Sequence, residues 1–134
     1  MRRNPLRDRS GEAAVEFALV ALALLVFGFG IVELGRMLWT WQALQSTAAD
    51  TARCVAIGSS LCTNPQNYAI SMAAARGVGS LTAGEITIAA NTTCAGQANF
   101  AQVSIAHTYK SVLAVFFLTP AAGIKASACY PNNP

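Results

Sequence analysis

Charge is scarce in this chain. Only 11% of its 134 residues are Asp, Glu, Lys or Arg, against the ~25% usual in soluble domains. No residue between Glu16 and Glu33 is charged, and the stretch from Gly11 to Val32 contains no proline. Histidine is all but missing, with His107 standing alone. No nucleophile–base–orienter set can be assembled around it from the sequence. Its place in an alternating segment marks it as structural. Paired acids for hydrolysis are also lacking, because Asp50 and Glu85 are isolated. The four cysteines follow one another at 8, 32 and 35 residues without a C-x-x-C, which argues against a zinc site. No glycine-rich phosphate loop follows a strand. These absences predict a protein that is not an enzyme and holds neither metal nor cofactor.

What the chain does have is one long apolar run. From Gly11 to Val32 it exceeds the ~20 residues that cross a bilayer, and only a helix spans in one pass, since every backbone N–H and C=O must find its partner within the segment. Residues 1–11 ahead of it are short and basic. Four of the nine basic residues (Arg2, Arg3, Arg7, Arg9) and one of the six acids (Asp8) lie there, leaving five of each sign beyond. The basic pI therefore belongs to the leader and does not mark a nucleic-acid surface. Positive charge before a first apolar helix stays cytoplasmic, so the C-terminal portion is expected outside. No A-x-A-like site follows the run, so it reads as retained. Ser10 is placed to cap the helix, with Glu12 and Glu16 in its first turns, where negative charge suits the helix dipole. Small residues Ala14, Ala18, Ala21, Gly28 and Gly35 are spaced by 4, 3, 7 and 7, a line along which helices in lipid approach closely.

Beyond the span, Leu34, Leu38, Trp41, Leu44, Ala48, Ala52 and Val55 recur at three and four residues. That is helical periodicity, with Arg36, Thr40, Thr47, Asp50 and Arg53 off the stripe. The helix is expected to reach Ala56 or Ile57 and stop at Gly58, about 70 Å from residue 12 at 1.5 Å per residue. Trp39 and Trp41 suit a membrane–water interface, and Trp41 equally suits packing on a domain. A turn-rich stretch, Gly58–Pro65, leads to a short helix over 65–77, capped by Asn64 or Thr63 with Pro65 at its first position. Tyr68, Met72 and Ala75 are expected on one side of it, with Gly77 as terminator. Ile86 and Ile88 flank Thr87, and Ala101, Val103, Ile105, His107 and Tyr109 alternate with polar or small residues, the pattern of half-buried strands. Residues 112–118 are continuously apolar but too short to span. Ile124–Tyr130 closes the chain as a final strand. An even cysteine count in an exported domain reads as two disulfides. Of the three pairings, Cys54–Cys62 and Cys94–Cys129, the latter reaching into a loop, tie elements adjacent in this scheme.

Gly11 followed by Glu12-Ala-Ala-Val-Glu16-Phe17 resembles the type IV prepilin cleavage motif, with glycine before the cut, glutamate fifth after it and an aromatic sixth. With Phe27-Gly-Phe-Gly-Ile-Val-Glu33-Leu-Gly35-Arg36, Trp41-Gln-Ala-Leu-Gln45 and Ala52-Arg53-Cys54, the chain is similar to TadE-like pseudopilins of tight-adherence (Flp) pilus systems. Val103–Tyr109 and Ile124–Cys129 look like that family's terminal strands. Glu12 departs from the small residue usual after the cut. The resemblance implies cleavage between Gly11 and Glu12 by a prepilin peptidase on the cytoplasmic side. It implies assembly through Glu16 and Phe17, with Glu16 attracting the new amine of a neighbouring subunit. Implied partners are the peptidase, other pilin or pseudopilin subunits, the inner-membrane assembly platform and membrane lipid. Nucleic acid is not among them.

The expectation is an α+β protein: a long N-terminal helix, transmembrane then amphipathic, packed on a small antiparallel sheet with one short extra helix and two disulfide staples. Residues 1–11 are the leader, 12–38 the span, 39–58 its extramembrane continuation and 59–134 a small exported domain. The protein is expected in a bacterial inner membrane, N-terminus inside and domain in the periplasm, or outside within a pilus. The function expected is that of a minor pilin or pseudopilin in pilus assembly. The alternative is a single-pass, non-polymerising binding module. A membrane-tethered enzyme would need a second constellation around His107.

Overall fold

The computed structural model describes residues 6–112 and 122–132. Most of the 112–118 apolar run lies outside them. The chain divides into two compact units, residues 1–35 and residues 36–134.

Within the first unit every described residue is helical. The helix, α1, spans Leu6–Ala56. It starts ahead of Ser10, so Ser10 is an interior helical residue and not the cap expected of it. The helix also continues unbroken through Gly28 and Gly30, although each glycine costs about 1 kcal/mol relative to alanine. An 18-residue window of α1 reaches a mean hydropathy of 2.6 with none of its residues buried inside the protein. Val15, Phe17, Leu22, Phe27 and Phe29 are all exposed. The core helix of a soluble protein would have this surface covered, and α1 is instead a candidate membrane anchor.

In the second unit, α1 ends at Ala56. Gly58 adopts φ +63°, the left-handed geometry that stops helices, and its N–H bonds to the Val55 carbonyl at 3.1 Å. A 3-10 turn at Ser60–Cys62 follows, and Cys62 is bonded to Cys54 in the last turn of α1. The second helix, α2, spans Pro65–Ala75, with Pro65 at its start and Asn64 accepting from the Asn67 N–H. A second 3-10 turn, Ala83–Glu85, leads into three strands: β1 Ile86–Cys94, β2 Gln97–Tyr109 and β3 Ala122–Pro131. They form one antiparallel sheet in the order β1-β2-β3. Ile86 faces Ile105, which in turn faces Ala126.

One sheet face supplies Ile86, Val103, Ile105, Tyr109, Ile124 and Ala126 to a single core with Ala43, Leu44, Ala48 and Ala52 of α1 and Ala69 and Ala73 of α2. Burial departs in part from the expected stripe. On α1, Leu38 and Trp41 are 57% and 46% exposed, whereas Thr47 and Thr51 are fully buried. The threonines can turn inward because each hydroxyl donates to the carbonyl four residues back, Thr47 to Ala43 and Thr51 to Thr47, both at 2.8 Å. Their polar cost is thereby removed within the helix. On α2 the inward residues are Ala69 and Ala73. Alanines let the helix approach closely, and the larger side chains flank the contact.

Cys94 ends β1 and is not in a loop. Ala95 and Gly96 both have positive φ, as a two-residue hairpin turn with right-handed strand twist requires. The Cys94–Cys129 bond ties this hairpin end to β3. Nearby, Asn132 Nδ2 donates to the Ala90 carbonyl at 2.8 Å.

Candidate functional site

Two sets of residues stand out, one in each unit. On α1, Gly11, Glu12, Glu16 and Phe17 are exposed. Glu12 and Glu16 are four residues apart and therefore on the same side of the helix. Ala14, Ala18, Ala21, Gly28 and Gly35 follow one side of it as well. A Cβ added at Gly11, Gly28, Gly30 or Gly35 would meet nothing within 4 Å. No packing among the described residues accounts for these glycines. The unit presents an exposed apolar surface with Glu12 and Glu16 near its beginning.

In the second unit, a cleft of about 520 Å³ is lined by residues of α1, the α2–β1 connection and β2, among them Arg36, Ser80, Glu85, His107 and Lys110. His107 is inward-facing on β2 and 6% exposed. Its Nδ1 lies 2.9 Å from Glu85 Oε1, and its Nε2 lies 3.3 Å from Ser80 Oγ. A carboxylate only accepts. In the neutral ring Nδ1 therefore carries the hydrogen and donates to Glu85, which leaves the Nε2 lone pair to accept from the Ser80 hydroxyl. Glu85 is itself held from several directions. Its Oε2 accepts from the Thr82 N–H and hydroxyl, both at 2.9 Å, and its Oε1 accepts also from the Thr108 N–H at 3.3 Å. Burial pushes the Glu85 carboxyl up, but the hydrogen bonds from Thr82, Thr108 and His107 outweigh it and hold the pKa below its ordinary value.

Ser80, His107 and Glu85 thus meet at one place, which the sequence reading did not foresee. The three residues come from a loop, a 3-10 turn and a strand, at separations with no periodic signature. One sequence signal was available. Thr82-Ala-Gly-Glu85 has the spacing of a capping box, which fixes the carboxylate five residues beyond Ser80. Glu85 is therefore not isolated.

Arg76, at the end of α2, was also unmarked by sequence. It donates to Thr47 Oγ1 at 3.1 Å and pairs with Asp50 of α1, while its carbonyl accepts from Trp39 Nε1 at 3.3 Å. Trp39 is thus tied to the domain by its polar edge. Among the described residues, no three His, Cys, Asp or Glu side chains cluster as metal ligands.

Residues 11–53 match the family model described as TadE-like protein. No curated protein and no solved structure matches the chain.

Proposed function

Residues 11–53 form a TadE-like segment, and from that premise we propose that the protein is a membrane-anchored minor pilin or pseudopilin that acts in assembling a Tad-type pilus. A prepilin peptidase hydrolyses the Gly11–Glu12 bond on the cytoplasmic side and removes the arginine-rich leader. The amine released on Glu12 becomes the N-terminus. The Glu16 carboxylate of one subunit attracts the amine of the next, an attraction that low dielectric strengthens and desolvation partly offsets. Phe17 and the small-residue line from Ala14 to Gly35 give neighbouring helices a surface to pack on. The domain, residues 59–134, lies in the periplasm, where its cysteines are oxidised. Partners are other pilin-like subunits, the inner-membrane assembly platform and lipid.

One observation carries this reading: the family match falls on a helix whose apolar surface has no cover within the chain, with an acid near its beginning. The test is mass spectrometry of the full chain from cells that contain the peptidase. The expected N-terminal residue is Glu12, and Gly11→Ala should leave the leader attached. Recovery of the unaltered chain with its leader intact would overturn the proposal.

A further inference from the structure

The cleft residues Ser80, Glu85 and His107 lie outside the 11–53 match. We propose that they form an acyl-transfer site, with carboxylic esters of small acyl groups as the substrate class. The geometry has the parts such chemistry needs in their order of action. Ser80 is exposed, as a nucleophile must be, and is hydrogen-bonded to His107 Nε2. His107 is buried and cannot rotate away, and Glu85 fixes the tautomer that leaves Nε2 basic. Glu85 is in turn held ionised by donors from Thr82 and Thr108. His107 has a carboxylate on one ring nitrogen and an exposed hydroxyl on the other. Arg36 and Lys110 also line the cleft.

The reaction balances without any added reagent. Ser80 Oγ forms a bond to the ester carbonyl carbon while its proton passes to His107 Nε2. The carbon–alkoxide bond breaks and the same proton leaves with the alcohol. Water then attacks the acyl-serine and gives a proton to His107, which returns it to Ser80 Oγ as the carboxylic acid departs. Ser80 and His107 are the catalytic residues and Glu85 is the positioning residue.

The experiment uses the full-length, disulfide-intact protein in detergent, treated with a fluorophosphonate probe and, separately, with p-nitrophenyl acetate. The phosphonyl group is expected on Ser80 by peptide mass spectrometry. Labelling should slow as the pH is lowered, since a protonated base cannot take the serine proton. In Ser80→Ala both labelling at that peptide and ester hydrolysis should fall by about 100-fold or more, the usual worth of a positioned base and nucleophile. Ser80 is exposed, so its thermal midpoint should stay within about 2 °C of the parent. A folded parent protein that leaves Ser80 unlabelled, or that hydrolyses the ester no faster than Ser80→Ala, overturns the proposal. So does labelling that does not respond to pH.

Discussion

At the scale of single residues, Glu85 is the side chain on which most depends. Four donors on two oxygens hold its carboxylate, and its side chain is 22% exposed. A carboxyl whose folded pKa lies below its unfolded value stabilises the fold above the unfolded value, and that stability is lost as pH falls through the folded one. The relevant window therefore opens near the ordinary value of 4.5 and extends downward. Thermal melts are expected to show a midpoint that falls once the pH drops below that value. Glu85→Gln is expected to lower the midpoint at neutral pH and to flatten the acid limb. A variant whose acid limb kept the parent's slope would show that another group controls it. The sequence announced part of this residue's role through the capping-box spacing at Thr82. It gave no hint of Ser80, because contacts across a loop and a strand obey no period.

At the scale of elements, the strands read well and the helix faces only in part. Strand alternation from Ala101 to Tyr109 pointed to the core side correctly, because a residue in a sheet has only two directions to face. A helix residue has a whole circle, and the apolar stripe of α1 held at Leu44, Ala48 and Ala52 but not at Leu38 and Trp41. Threonine counts as polar in any hydropathy pattern, yet Thr47 and Thr51 bury themselves by bonding to their own helix. Trp41 counts as apolar and is nearly half exposed. Ala89 to Asn99 has weak alternation, so the hairpin end that carries Cys94 passed for a loop.

The two disulfides also differ at this scale. Cys54–Cys62 closes a separation of 8 residues and Cys94–Cys129 one of 35. By loop-closure entropy they are worth about 2.5 and about 4 kcal/mol respectively. Replacing Cys94 and Cys129 together by serine should therefore lower stability by more than replacing Cys54 and Cys62 together, as measured by denaturant midpoints of the two double variants. The reverse order would mean that the short bridge, at the exit of α1, constrains more than its loop.

For the molecule as a whole, the division into residues 1–35 and 36–134 separates what would assemble from what would fold. Glu16→Gln keeps shape and removes charge. It is expected to reduce protein in sheared surface fibres about tenfold, corresponding to ~1.4 kcal/mol at each contact, with membrane levels of the subunit and the thermal midpoint of the domain unchanged. Immunoblots of sheared and membrane fractions measure this, and equal fibre yield would remove Glu16 from the assembly role. The apolar span and the fold class were open to reading because long uniform patterns survive translation into structure. The register of every close contact was not, since it is set by which side chains happen to be small. In the second unit that choice falls on Ala48, Ala52, Ala69 and Ala73, all with no exposed surface. Such positions have no room for growth, and trimming to glycine would weaken the helices that carry them. Inherited variation along these four sites is therefore confined to alanine and residues hardly larger, and a lineage would be barred there from valine or leucine.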